Sequence, residues 1–303
     1  MSVLVVGSVA LDSIKTPYES GEYILGGSAV HFVNAASLLT STKLVGVVGQ
    51  DFLQEHIDFL KSKKADVEGL EKKEDGKTFH WEGYYEKDMN QAYTVKTELN
   101  VFETFDPILP EKYKKSTIVF LANIDPELQL KVLNEIENPQ FVACDTMNFW
   151  IESKKEALTE VLKKVTLAFF NDAEIRDFTG KQNIIDAAQS VLNLGPQYVA
   201  IKKGENGILL VSKNEMFSAP AMILKTLKDP TGAGDSFAGG FMSYLDYKNK
   251  FDFTTLKKSA VYATLVASFN VQGLGVSGLE SKTFADVKKR FKNYKRLTAI
   301  LKF

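Results

Sequence analysis

Along most of the chain, short β-branched apolar runs alternate with longer stretches whose apolar residues recur at helical spacing. VLVV at 3–6 is followed by a helical pattern near 28–39, and KLVGVVG at 43–49 by another near 52–62. The rhythm resumes in TIVFLAN (117–123), FVACDT (141–146), TLAFFN (166–171) and YVAIKKG (198–204), each leading into a charged, helix-favouring stretch. Four- to seven-residue runs of this kind read as buried strands, and their alternation with helices predicts a helix-covered parallel sheet. Three last helical patterns begin near 233, 254 and 283.

One segment breaks the rhythm. Residues 77–102, KTFHWEGYYEKDMNQAYTVKTELNVF, are aromatic, Thr-rich and punctuated by turn residues, as expected of antiparallel strands. They predict a small β excursion from the main sheet, either an edge hairpin that covers the core or a lid over a substrate cleft. No internal repeat, low-complexity tract or flexible linker interrupts the chain, so residues 1–303 are expected to form one domain.

Composition narrows the classes of function. With 37 basic and 38 acidic residues there is no global field to hold a polyanion, so nucleic acid is not expected as a partner. The single cysteine, Cys144, excludes an intramolecular disulfide and a cysteine zinc cluster, which fits a reducing, cytoplasmic location. No basic region precedes the N-terminal apolar stretch, and no segment reaches the roughly 18 apolar residues of a membrane span. The expectation is a soluble, unexported protein with no membrane partner.

Two phosphate motifs are only apparent. Gly273, Gly275 and Gly278 spell GxGxxG, but a helical pattern precedes them where a dinucleotide fingerprint needs a strand. Gly76, Lys77 and Thr78 end like a P-loop, but Glu71 stands where its first glycine is required. The sharper signal is DPTGAGDSFAGGFMSYL at 229–245. Gly232, Ala233 and Gly234 let successive N–H groups converge at the start of an apolar-periodic helix, where unpaired donors and the helix dipole favour an anion. Asp235 follows at once, close enough to serve as general base for a nucleophile delivered to that anion, or simply to complement the dipole.

DPTGAGDSF resembles the C-terminal signature of the PfkB, or ribokinase-like, family of carbohydrate kinases, and the chain follows that family's pattern over its whole length. The resemblance implies an α/β three-layer sandwich with a central, mainly parallel sheet and a small β lid, drawn from about 10–24 and 77–102. It assigns Gly232, Ala233 and Gly234 to an anion hole for the γ-phosphate of ATP and makes Asp235 the catalytic base. Gly26, Gly27 and Ser28, which open a helix after the first strand, are similar to the family's N-terminal Gly-Gly motif, where backbone approaches a polyol. Asp12 matches an acidic residue that binds substrate hydroxyls, with a turn-forming aspartate as the plainer reading. Ribokinase commonly has asparagine where this chain has His31, so ribose is not implied, and His31 is either a ligand contact or a packed helix residue.

On the nucleotide side, Asn171 and Glu174 match the family's NxxE motif, although the same spacing is a helix capping box. Glu174 is expected to act on magnesium through a bound water. Lys203, Gly204 and Gly207 resemble a nucleotide-proximal turn, with a plain hairpin turn as the alternative, and Asn270 falls where relatives often contact nucleotide. Asp229 and Thr231 stand where many relatives bind a monovalent cation such as potassium. The expected reaction is ATP-dependent phosphorylation of a sugar hydroxyl. The alternatives are a nucleoside kinase, whose base the aromatics Phe79, Trp81, Tyr84 and Tyr85 would suit, and a non-catalytic ligand-binding relative. Relatives often dimerise through their lids, and a homodimer is an expectation on that ground.

Overall fold

The computed structural model describes residues 2–89 and 91–299. The first apolar run becomes strand β1 (Ser2–Val6), whose Val3 and Val5 enter one core while Leu4 and Val6 enter another. A strand buried on both faces has no polar side to show, which is why VLVV reads as an uninterrupted apolar run. The chain continues through β2 (Ala10–Lys15), β3 (Ser20–Gly26), α1 (Ser28–Ala36), β4 (Ser41–Val48), α2 (Gln54–Ser62) and β5 (Ala65–Lys72). Next come β6 (Phe79–Tyr85), β7 (Ala92–Glu98), α3 (Glu111–Lys114), β8 (Ile118–Leu121), α4 (Pro126–Glu135) and β9 (Phe141–Cys144). After α5 (Asn148–Ser153) and α6 (Lys155–Leu162) follow β10 (Leu167–Asn171), α7 (Asp172–Thr179), α8 (Ile184–Leu192), β11 (Tyr198–Lys202), β12 (Ile208–Ser212) and β13 (Met216–Ala219). The last helices are α9 (Ala233–Lys248), α10 (Phe253–Asn270), α11 (Ser277–Glu280) and α12 (Phe284–Leu297).

Nine strands form the main sheet in the order β13-β12-β11-β10-β9-β8-β1-β4-β5. From β11 to β5 every pairing is parallel, and β12 and β13 add an antiparallel edge. Helices α1, α9 and α10 cover one face, where Phe32 stacks on Phe120 at 4.6 Å and Phe169 meets Phe241 edge-on at 5.4 Å. Helices α6, α7 and α8 bury Leu158, Ile175 and Val191 against the other face. Two helical layers thus enclose the sheet, as the alternation of patterns predicts. Among the described residues, no helix is long and apolar enough to cross a membrane.

One predicted helix does not form. The stretch after YVAIKKG turns back as β12, because Gly204 and Gly207 take positive φ values of 52° and 88° and close a hairpin. A side chain at Gly207 would strike the Ala219 carbonyl, 2.1 Å from an added Cβ.

The chain leaves β1 toward β4 and β5 on one side and returns at β8 on the other, so the order reverses between β1 and β8. In open α/β sheets the crevice beyond the strand carboxyl ends at such a reversal is where ligands bind. A second sheet, ordered β3-β2-β6-β7, stands beside this crevice. The aromatic 77–102 segment supplies two of its strands, β6 and β7, paired antiparallel as predicted.

Candidate active site

The glycine-rich loop at 229–234 is anchored from below before it can offer anything to a ligand. Asp229, fully buried, accepts the Thr231 N–H at 2.8 Å through one oxygen and the Gly275 N–H at 2.8 Å through the other. The carboxylate expected to face a cation therefore has both oxygens engaged by backbone donors. Asn270, also fully buried, donates to the Thr231 carbonyl at 2.8 Å and accepts from the Ser236 hydroxyl at 3.0 Å. Its side chain thus braces the loop from behind. The Gly273–Gly278 run likewise serves the loop through the Gly275 N–H rather than a dinucleotide.

Gly232 is the N-cap of α9, a helix of 16 residues that begins at Ala233. The Ala233 N–H donates to the Pro230 carbonyl at 3.1 Å, so it is occupied, whereas the Gly232 and Gly234 N–H groups have no hydrogen-bond partner among the described residues. Two such donors at the positive end of a long helix dipole make a cradle that could receive an anion. Beneath them lies His31, 1% exposed, with both ring nitrogens unpartnered. A Cβ on Gly232 would stand 2.2 Å from the His31 ring, so the imidazole packs against the back of the loop. Burial holds His31 below the usual histidine pKa, and a neutral ring fits that packing.

Four charged side chains from four elements converge in front of the cradle. Asp235, third residue of α9, is pushed up to about 6 by burial, with Asp145 adding and Lys202 opposing. Asp145 follows β9, and its carboxylate accepts the Lys202 ammonium at 2.5 Å. Burial works against the charge on Lys202, yet Asp145, Glu174 and Asp235 together hold its pKa above the usual lysine value. Burial raises Glu174 to about 7, opposed by Lys202. Glu174 and Asn171 form the capping box of α7: the Asn171 N–H donates to the Glu174 carboxylate at 2.6 Å and the Glu174 N–H to the Asn171 side chain at 2.7 Å. Among the described residues no group of three or more His, Cys, Asp or Glu side chains could hold a metal alone. That donor set suits magnesium carried on nucleotide phosphates with most of its waters retained.

Sequence reading missed Lys202 and Asp145. Lys203, the expected lysine, instead opens the hairpin, its N–H donating to the Gly207 carbonyl at 2.8 Å. Gly204 beside it is exposed, and an added Cβ would meet nothing within 4 Å, so backbone there is open to approach.

Across the crevice, Asp12 on β2 is 5% exposed and raised to about 7 by burial, opposed by the Gly27 N–H and reinforced by Asp229 and Asp235. Asp12 and Asp235 thus lie near enough for their charges to interact. Gly26 makes room for this carboxylate, since its Cβ would fall 2.0 Å from an Asp12 oxygen. Gly27, at φ 94°, passes so close to Ser8 that a Cβ would sit 2.5 Å from its carbonyl oxygen. Ser28 is tied to Ser8 by three mutual bonds of 3.0–3.1 Å, a clasp that fixes the start of α1 and accounts for its polar groups without a ligand.

The smaller sheet meets the loop through Tyr85, whose hydroxyl accepts the Thr231 hydroxyl at 3.1 Å. Trp81 is paired with Asp12 across β2 and β6 and shares a face with Tyr85 by strand alternation. Its ring lies over Gly83, whose added Cβ would be 2.2 Å from it, and its N–H donates to the Thr94 hydroxyl at 3.1 Å. Phe79 rests on Phe102, and Tyr84 stacks on Tyr93 on the opposite face. Of the four expected aromatics, Phe79, Trp81 and Tyr85 alternate onto the face that carries Asp12.

This site is set in a chain with clear relatives. The curated cytidine kinase of Thermococcus kodakarensis is 30% identical over 249 residues, 80% of this chain and 88% of that protein. The nucleoside kinase of Methanocaldococcus jannaschii is 26% identical over 266 residues, 87% of this chain and 83% of its own. The crystal structure of the M. jannaschii nucleoside kinase, described as an archaeal member of the ribokinase family, superposes with a TM-score of 0.78 and 24% identity, covering 96% of this chain and 98% of that one. Residues 2–282 match the model of the pfkB family of carbohydrate kinases, and with this fold and this signature the chain belongs to that family of alcohol-acceptor phosphotransferases.

Proposed function

We propose that the protein is an ATP-dependent nucleoside kinase that transfers the γ-phosphoryl group to a hydroxyl of the nucleoside's sugar. The observation that carries the nucleoside over a free sugar is the 30% identity to a cytidine kinase across four-fifths of the chain. This reverses the order of the two readings drawn from sequence, in which the sugar came first. Trp81 supports the change, because a flat indole beside Asp12 offers a base a surface to stack on while the carboxylate takes the ribose hydroxyls.

In this reading Asp12 accepts hydrogen bonds from the acceptor and turns its reactive hydroxyl toward Asp235. Asp235, raised to about 6, is ionised at neutral pH yet basic enough to take the hydroxyl proton as the new bond forms. The Gly232 and Gly234 N–H groups receive the negative charge on the phosphoryl oxygens. The exposed backbone at Gly204, with Lys203 and Gly207, receives the nucleotide, and Glu174 would hold magnesium through one of the ion's waters. Magnesium, when bound with ATP, supplies neutralisation of phosphate charge. A potassium ion, if one is used, would sit beside Asp229 and Thr231, where each Asp229 oxygen already accepts one backbone N–H. Closure of the smaller sheet excludes water, the competing acceptor.

The test is a panel of nucleosides and free sugars with ATP and magnesium, read by ADP release. We expect cytidine or another nucleoside to give the highest kcat/KM. A free sugar turned over more efficiently than every nucleoside would overturn the substrate reading and leave the kinase assignment standing.

A further inference from the structure

The main-sheet lysine that closes β11 has no role in the scheme so far. Ala200, two residues before it on the same side of the strand, faces the core beneath α9, so strand alternation directs Lys202 toward the α9 side of the sheet end. The contact is close: a Cβ on Gly234 would stand 3.2 Å from the Lys202 ammonium nitrogen. Gly234 is one of the two residues with a free N–H in the anion cradle. The Lys202 side chain is 17% exposed, and Asp145 is its only hydrogen-bond partner among the described residues. An ammonium carries three donors, so two remain for a ligand.

Charge balance points the same way. Asp145, Glu174 and Asp235 all act on this one ammonium. Without it, three carboxylates would face an incoming polyphosphate, and repulsion would oppose binding.

We propose that Lys202 is a catalytic residue that contacts the transferring phosphoryl group, and that Asp145 is the positioning residue that holds its ammonium against the Gly232–Gly234 cradle. In the step itself, the bond from the γ-phosphorus to the bridging oxygen breaks and ADP leaves with that electron pair. The bond from phosphorus to the acceptor oxygen forms, the hydroxyl proton passes to Asp235, and Lys202 stays protonated throughout, following charge onto the phosphoryl oxygens. A point cation there acts beside magnesium, at the face of the phosphoryl group turned to β11.

The assignment rests on the reading that the cradle takes the γ-phosphoryl group, and the experiment separates the two. For Lys202→Met, calorimetry should show ATP affinity reduced about tenfold or more while ADP and cytidine affinities change less than about threefold, with kcat down about 10²- to 10³-fold, the range for losing one preorganised donor. Lys202→Arg should recover part of the rate. If Lys202 only neutralises Asp145, the charge-balanced double variant Lys202→Met with Asp145→Asn would regain ATP discrimination and rate, and the proposal falls. We expect that double variant to remain as impaired as Lys202→Met. It also carries the test should the single variant not fold, since it leaves no unpaired buried charge. Asp235→Asn, measured in parallel, reports on the underlying reading: near-normal turnover in that variant would refute the cradle-and-base mechanism whatever Lys202 does.

Discussion

In the proposed mechanism Asp235 is the residue on which the chemistry turns. Replacing it by asparagine keeps its shape but removes the proton acceptor, so turnover should fall about 10²- to 10⁴-fold, or roughly 3–5 kcal/mol of barrier, with much smaller changes in ATP and nucleoside affinity. Because its carboxyl is raised to about 6, and that of Asp12, which holds the acceptor, to about 7, kcat/KM of the unmodified protein should rise with pH through both values and level off only above about 7. Steady-state kinetics of the variant, and of the parent from pH 5 to 8, check both statements. Asp12 makes a different prediction, about stability. Its carboxyl is raised from 3.8 to about 7, so the folded protein binds the proton more tightly than the unfolded chain does. That contribution is complete below about pH 4 and is lost as pH rises through about 7. Asp12→Asn, neutral at every pH, should therefore melt near the parent at pH 4 and above it at pH 8. An equal difference at both would show that Asp12 carries no such linkage.

At the scale of elements, a helix start serves two purposes at the end of β10. Asn171 and Glu174 cap α7 through reciprocal bonds, and Glu174 also faces Lys202 and Asp145. Glutamine fills the same place in a capping box, so Glu174→Gln should keep the fold and melting temperature while shifting turnover to higher magnesium. An unchanged magnesium dependence, measured by titration at saturating nucleoside, would reduce Glu174 to its capping role. The same elements show why sequence reading reached some of the site and not the rest. The strands, the glycine loop and the capping spacing are local patterns, and each is visible within a dozen residues. The lysine and aspartate of the charged cluster are 57 positions apart. They meet only because β9 and β11 flank β10, an adjacency that strand order decides and composition does not. Lys203 was expected in place of Lys202 because the run IKKG does not show where the strand stops. One residue of register sends a side chain to the other face.

At the scale of the whole molecule, the reversal of strand order between β1 and β8 gathers Asp12, Asp145, Glu174, Lys202 and Asp235 at one end of the sheet, from segments spread over more than two-thirds of the chain. Asn270 and His31 both lie at the loop, on its hidden side, and a sequence motif does not say which side of a loop a neighbour occupies. The bond from Thr231 to Tyr85 has its own consequence at this scale. It joins the loop that would grip one substrate to the sheet that would cover the other, so neither can settle without the other registering it. Occupancy of the two halves should then be linked, and linkage is symmetric: whatever factor the nucleoside contributes to ATP affinity, ATP must return to the nucleoside. Tyr85→Phe, which removes the acceptor for Thr231, should shrink that shared factor from both directions equally when each ligand is titrated with and without a saturating, non-hydrolysable form of its partner. The protein would then bind its two substrates almost as strangers, and part of its preference for having both present before reacting would be gone.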